Sequence, residues 1–237
     1  NDYYSFRKLV WDSENLNLDT YELLLRQDLP NKFFHNLSFL FDIKGLIYIK
    51  NATQNRENSK FIATNTNAIL YDTNITFKFT DLNKHKVDKK ELSYSVKTDL
   101  DIIDNEFTQF VFTRFNKDNE LNNRLKKNIY KDWITNSTNR NDKFFITVNQ
   151  DSETMGYILY KIEKNKYIIE LIAIKSRYQN QRIGTRMLNS LKNEAIDNNI
   201  AEIIVGTQVS NIAAINFYIK NNFYVTSTTD VYHWWKV

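Results

Sequence analysis

The run Ile168–Met187, IIELIAIKSRYQNQRIGTRM, decides how the rest of the chain is read. Its first part, Ile168 to Ile174, is apolar and β-branched, broken only by Glu170, and reads as a strand. A polar turn follows from Lys175 to Gln181. Ile183, Met187, Leu188 and Leu191 then recur at helical spacing. A strand passing through a polar turn into a helix start makes an anion site. The first-turn N–H groups have no partner inside the helix, and the macrodipole adds partial positive charge there. Gly184 falls in that first turn, where a missing side chain lets a ligand approach the backbone. With only four glycines in 237 residues, its placement carries weight.

Composition bounds what surrounds this unit. A length of 237 residues suits one large domain or two small ones, and 42% hydrophobic content allows a sizeable core. The 32 basic and 28 acidic residues nearly balance, and the lysines are dispersed, which argues against a nucleic-acid partner. There is no cysteine, so disulfides, thiolate zinc sites and cysteine nucleophiles are excluded. His35, His85 and His233 lack metal-ligand spacing, and no metal is expected. No apolar run reaches transmembrane length and no signal peptide is visible, so no membrane insertion is expected and the default address is the cytoplasm. A homodimer is compatible with this reading.

Upstream, Tyr4–Val10 and Thr20–Leu25 read as strands joined by a polar turn, Asp12–Asp19. Asn31 is placed to cap a helix over Lys32–Phe41, and Gly45 ends that unit ahead of a strand at Leu46–Lys50. A polar helix, Thr53–Ala63, precedes strands at Ala68–Asp72 and Asn74–Phe79. The charged run Asp81–Leu92 marks a boundary. The expectation is a small N-terminal α/β domain over residues 1–92 and a larger domain over 93–237.

In the larger part, Tyr94–Thr98 reads as a short strand and Asp99–Asp104 as the start of a helical region. Leu121, Leu125, Ile129 and Trp133 step by four and read as one helix face. Lys143–Asn149 and Thr154–Glu163 form a hairpin, and Tyr167–Lys175 is the next strand. A helix over Arg182–Asn198, a strand at Ile200–Thr207 and a helix over Asn211–Asn221 follow. Two closing strands are expected at Phe223–Ser227 and Asp230–Lys236. The fold class is α/β, with a mixed sheet.

The turn Gln179-Asn180-Gln181-Arg182-Ile183-Gly184 resembles the acetyl-CoA-binding segment of the GNAT (Gcn5-related) N-acetyltransferases, Gln/Arg-x-x-Gly-x-Gly/Ala. Arg182 stands where the first glycine usually is, and is expected to be helical. Asn211, Ala214, Tyr218 and Phe223 resemble that family's second segment, Asn-x-x-Ala-x-x-x-Tyr-x-x-x-Gly-Phe. Asn222 replaces its glycine, a mild change because asparagine tolerates a left-handed helix end. Trp11-Asp12-Ser13, Thr113-Arg114-Phe115 with Asp118, and Tyr130–Ile134 resemble a narrower group, the dTDP-4-amino-4,6-dideoxygalactose (dTDP-fucosamine) N-acetyltransferases. That group also carries an extra N-terminal α/β domain. The aromatic pair that usually follows the Trp-Asp-Ser element is Asn15-Leu16 here.

The resemblance implies a GNAT fold and direct acetyl transfer from acetyl-CoA, a cosubstrate, to the amine of a nucleotide-linked amino sugar for surface polysaccharide. Gln179, Asn180, Gln181, Arg182, Ile183, Gly184 and Thr185 would hold the pyrophosphate. Ile172, Ala173 and Ile174 would pair with the pantetheine arm, with Asn211 and Ala214 beside it. Asn211 would either touch that arm or fix its own helix. Tyr218 is implied as the acid for the leaving thiolate, against a plain helix-face tyrosine. Glu170 either accepts the amine's proton or pairs with a lysine. Arg182 is a phosphate ligand or a solvated residue. Arg114 and Asp118 bind the sugar nucleotide or form a local ion pair at spacing four. Tyr130 and Trp133 are expected in the core, and His233 in a structural role. Two rivals stand beside this reading. One is a GNAT that acetylates a peptide, protein or small-molecule amine. The other is a CoA-binding module without turnover.

Overall fold

The computed structural model describes residues 3–30, 34–82, 117–125, 129–150 and 153–236. Among them the strands are β1 (Tyr4–Lys8), β2 (Thr20–Leu25), β3 (Gly45–Ala52), β4 (Ile69–Phe79), β5 (Lys143–Gln150), β6 (Glu153–Glu163), β7 (Lys166–Ile174), β8 (Glu202–Gln208) and β9 (Tyr224–Lys236). The helices are α1 (Val10–Leu16), α2 (Arg56–Asn65), α3 (Asn119–Arg124), α4 (Ile129–Thr138), α5 (Ile183–Asp197) and α6 (Ile212–Lys220), with 3-10 turns at His35–Phe41 and Ser176–Tyr178.

All nine strands join one sheet in the order β1-β2-β3-β9-β4-β8-β7-β6-β5. β2/β3 and β7/β8 are parallel and the other pairs antiparallel. β9 is inserted between β3 and β4, so strands from both parts of the chain alternate across the sheet. The charged stretch expected to mark a boundary lies almost wholly outside the described residues. So do the expected strand Tyr94–Thr98 and helix Asp99–Asp104, as do Asn31 and the start of the helix it was to cap.

Strand alternation gives the sheet two apolar faces. On one, Met187, Leu188 and Leu191 of α5 and Tyr218 of α6 pack on Phe77, Ile158, Ile169 and Val205. The same face continues under α2 and the first 3-10 turn, where Ile62, Leu37 and Leu40 meet Leu23, Ile47, Ile49 and Trp234. The three α5 side chains are fully buried, each worth about 1.5–3 kcal/mol relative to exposure. On the opposite face, Ile134 of α4 packs on Phe145, Tyr157, Leu159 and Leu171. Leu16 of α1 and Leu121 of α3 cover Leu46 and Tyr48.

Four local expectations are corrected. The turn expected at Asp12–Asp19 holds α1, which ends on Asn17 at φ 48°. The helix face running from Leu121 to Trp133 is two helices, because Leu125 is extended (φ −62°, ψ 134°) and ends α3. The two strands before Thr80 are one, β4, carrying register shifts at Leu70/Asp72 and Thr76/Phe77. The two closing strands are likewise one, β9, with its polar centre still hydrogen-bonded to β4.

Candidate functional site

β7 and β8 begin side by side and then part. Their pairing runs from Lys166↔Glu202 to Ile169↔Val205 and stops. Beyond that point β7 stays on β6 as far as Ile174↔Gly156, and β8 stays on β4 as far as Gln208↔Asn74. The facing edges of Ile172–Ile174 and Gly206–Gln208 therefore keep main-chain groups available to an extended ligand arm, as at any open strand edge.

A cavity of about 340 Å³ opens in this fork. Ile172, Asn211, Ala214 and Tyr218 line it from the α5/α6 side, and Tyr130, Trp133, Glu170, Asp72, Asn74 and Lys50 from the other. The fork thus joins a largely uncharged side, by α6, to a side that carries charged groups and two aromatic rings.

Tyr218 lines the cavity from α6. Its ring is 2% exposed and packs against Phe77, Phe217 and Phe223. Burial pushes its phenol well above the ordinary value, so it stays protonated at any working pH. Among the described residues no hydrogen-bond partner is found for its hydroxyl, which leaves the proton available for a ligand.

Glu170 sits on a β-bulge. Leu159 pairs with Leu171 and Tyr160 with Ile169, so Glu170 is the extra residue of β7. Bulges re-aim side chains, and this one turns the carboxylate toward α4. There Oε2 accepts from Lys143 Nζ at 2.6 Å and from Trp133 Nε1 at 3.4 Å. Glu170 thus has a lysine partner and still lines the cavity.

The turn after β7 is held from below by Glu153. Its carboxylate accepts from Lys175 (2.8 Å), Tyr178 Oη (2.7 Å) and Arg177. The hydrogen bond from Lys175, then those from Tyr178 and Arg177, lower its carboxyl to about 2. Gln179 Nε2 donates to the Ile174 carbonyl and Gln181 Nε2 to the Arg177 carbonyl, so both side chains close the turn on itself. Asn180 and Arg182 are left-handed, at φ 62° and 61°. The expectation of a helical Arg182 is corrected: it is the residue preceding α5, and it adopts the backbone conformation a glycine would take there. Ile183 is buried at the start of α5, and Thr185 follows half-buried in its first turn.

Gly184 has a packing role as well. A Cβ at this position would lie 2.9 Å from Phe217 Cε2 and 3.3 Å from Ile174 Cδ1. The missing side chain makes room for an aromatic ring of α6, packing the two helices closely.

Asn211 caps α6, its Oδ1 accepting from the Ala214 amide at 3.1 Å, and lines the cavity as well. Asn222 has φ 64°, the left-handed helix end expected of it. Asp118 is 1% exposed and does not line the cavity. Its Oδ1 caps α3 through the Glu120 and Leu121 amides, and Oδ2 meets His233 Nδ1 at 2.6 Å and Trp235 Nε1 at 2.9 Å. Burial opposes its charge, but the hydrogen bonds from His233, Trp235 and the Leu121 amide outweigh that and hold it below the usual carboxylate value. His233 in turn lies between the rings of Tyr48 and Tyr71. Arg114 lies outside the described residues.

Tyr130 and Trp133, expected in the core, pack on Trp11's side of the sheet and wall the cavity. Lys50, Asp72 and Asn74 had no signal in the sequence, because only the insertion of β9 brings β3 and β4 to the fork. Among the described residues no cluster of His, Asp or Glu is arranged to hold a metal, and no helix is long and apolar enough to cross a membrane.

Residues 103–223 match the family model described as acetyltransferase (GNAT) family. The spore coat polysaccharide biosynthesis protein SpsD of Bacillus subtilis (strain 168) is 25% identical over 126 residues, which is 53% of this chain and 44% of that protein. The chain therefore matches less than half the length of this relative. Among solved structures, a GCN5-related N-acetyltransferase from Sphaerobacter thermophilus superposes with TM-score 0.67 at 7% identity, covering 98% of this chain and 76% of its own. A conserved protein of unknown function from Staphylococcus epidermidis ATCC 12228 also gives 0.67, at 13% identity, covering 100% and 92%. At these identities the likeness concerns the fold.

Proposed function

The chain belongs to the acetyltransferase (GNAT) family, and we propose that it transfers an acetyl group from acetyl-CoA to the primary amine of a nucleotide-linked amino-deoxysugar. The acceptor is of the dTDP-4-amino-4,6-dideoxyhexose type, and the product serves surface polysaccharide synthesis. The observation that carries the transfer chemistry is the Tyr218 hydroxyl, without a hydrogen-bond partner among the described residues, lining the cavity between two diverging strands.

The residues fit the donor. The turn Gln179–Thr185 offers backbone amides at the start of α5 for the pyrophosphate, with left-handed residues turning them to one side. Ile172–Ile174 offers a free strand edge to the pantetheine arm, with Asn211 and Ala214 across the fork. A neutral amine arriving from the charged side attacks the thioester carbonyl carbon. The carbon–sulfur bond then breaks, and the thiolate takes its proton from Tyr218. The dry setting that raises the phenol raises the thiol as well, so the transfer remains feasible. Glu170 is assigned the amine's surplus proton, directly or through water. Phenol and carboxylate return to their starting states by exchange with solvent.

Support for the sugar nucleotide is twofold. The relative SpsD is named for polysaccharide biosynthesis. Residues of the first 92, Lys50, Asp72 and Asn74, share the acceptor side of the cavity with Tyr130, Trp133 and Glu170, and we take the first 92 to be the acceptor-side part of the molecule. Asp118 acts at one remove, by ordering α3 against β9. The test is a thiol-release assay with acetyl-CoA against dTDP- and UDP-linked amino sugars, with peptides and simple amines alongside. Release with a dTDP-4-amino-4,6-dideoxyhexose is expected. Release with peptide and no sugar would overturn the acceptor, and release with no amine would overturn the transfer.

A further inference from the structure

Asp72 is a second carboxylate on the acceptor side, and its surroundings are unlike those of Glu170. It is 5% exposed, on β4. A bulge precedes it: Leu70 pairs with Tyr232 and Asp72 with Val231, leaving Tyr71 as the extra residue. Tyr71 and Asp72 consequently turn to the same face of the sheet. Tyr71 stacks on His233 with ring centroids 4.5 Å apart, and Asp72 lies level with Val231 and, one strand further, Lys50. Thr73 then returns to the opposite face.

One oxygen of this carboxylate is fully engaged. Oδ1 accepts from Lys117 Nζ at 2.7 Å and from the Thr73 amide at 2.9 Å. The other oxygen, Oδ2, is shielded from solvent, and among the described residues it has no hydrogen-bond partner. Natural proteins rarely leave a buried charged acceptor unmatched, because its lost hydration is then uncompensated. The residue lines the cavity that runs through the fork to Tyr218. The Thr73 amide, given by the adjacent backbone, anchors the carboxylate, and the Lys117 ion pair is likewise confined to Oδ1, so Oδ2 is left for an incoming donor.

We propose that Asp72 is the docking group for the acceptor's amine, its Oδ2 taking an N–H of the amino group while Glu170 and Tyr218 face the reacting centre. This rests on the acetyl-transfer reading above and adds the residue that selects an amine over a hydroxyl. An amine donates a hydrogen bond to Oδ2 and keeps its lone pair for the thioester carbon. Its ammonium form is attracted by the carboxylate before the proton is lost. An acceptor with a hydroxyl in that place gives up the charge attraction.

The ion pair with Lys117 supplies a control for a purely structural role. In acetyl-CoA-saturated assays, the best primary amine of the panel above is used to compare Asp72→Asn with Lys117→Met. Asp72→Asn is expected to raise the acceptor KM by about 10- to 100-fold with coenzyme A affinity unchanged. Lys117→Met breaks the same ion pair but keeps the carboxylate, and is expected to leave that KM unchanged or lower it. Asp72→Glu should recover part of the loss. Equal effects of Asp72→Asn and Lys117→Met on KM, or none from Asp72→Asn, would overturn the proposal and leave acetyl transfer standing. Absence of turnover with every amine in the unmutated protein would overturn both. If Asp72→Asn does not fold, Lys117→Met decides, since a rise in acceptor KM would mark the pair as structural.

Discussion

Phe217 occupies the space that residue 184 leaves empty: a Cβ there would fall 2.9 Å from Phe217 Cε2 and 3.0 Å from Cζ. Phe217 precedes Tyr218 on α6, with ring centroids 5.3 Å apart, so the contact between the helices also sets where the phenol sits. Gly184→Ala forces a rigid ring aside. We expect a loss of stability of about 1–3 kcal/mol, read by chemical denaturation, together with a fall in kcat as Tyr218 is displaced. Unchanged stability would show that the ring moves freely.

Tyr218→Phe removes one hydroxyl and keeps the ring that fills the space between Phe77 and Phe223. The expected result is a kcat lower by ~10²-fold with acetyl-CoA affinity nearly kept. Affinity is read by calorimetry and kcat by thiol release. A full-rate mutant would remove the phenol from the chemistry.

Glu153 ties the turn before α5 to the start of β6 through Lys175, Tyr178 and Arg177. Glu153→Gln loosens that turn, and coenzyme A should bind about fivefold more weakly, the equivalent of roughly one ordinary hydrogen bond. The acceptor KM should not move. The same carboxyl makes a pH prediction. Its pKa falls from 4.5 to about 2 on folding, so its contribution to stability is present above pH 4.5 and is lost as pH drops toward 2. The stability difference between the native protein and Glu153→Gln should shrink over that window and be flat above it.

Much of this arrangement was legible before any coordinates. The strand ending at Ile174, the turn, α5 and α6 fall within two residues of their expected limits, because β-branched runs and helical spacing there agree with the tertiary packing. Asn222 took the left-handed conformation its chemistry allows. Other features had no local trace. Val10–Leu16 passed for a turn because no side chain caps it and its preceding residue is Leu9; its buried side carries the polar Asp12 and Asn15, while the apolar Val10 is exposed, so no apolar stripe marks it. The break at Leu125 was hidden because α3 and α4 bury side chains at a common stride of four on the same face of the sheet. The packing part played by Gly184 was not legible, because the ring that fills the space beside it comes 33 positions later. Asp72 was invisible because nothing in sequence relates residue 72 to residues 170 and 218; only strand order does.

The insertion of β9 has a further consequence, for how the molecule comes together. β3 meets β9 through pairs such as Ala52↔Thr229 and Gly45↔Lys236, 177 and 191 positions apart by subtraction. Contacts of such long range are slow to form, since a large loop must close before any reward arrives. Meanwhile the first three strands present a bare edge, the condition under which nascent chains adhere to one another. Expression at low temperature, or with a chaperone that guards such edges, should favour the soluble product. The acceptor wall at Lys50 and Asp72 is then among the last parts of the molecule to be assembled.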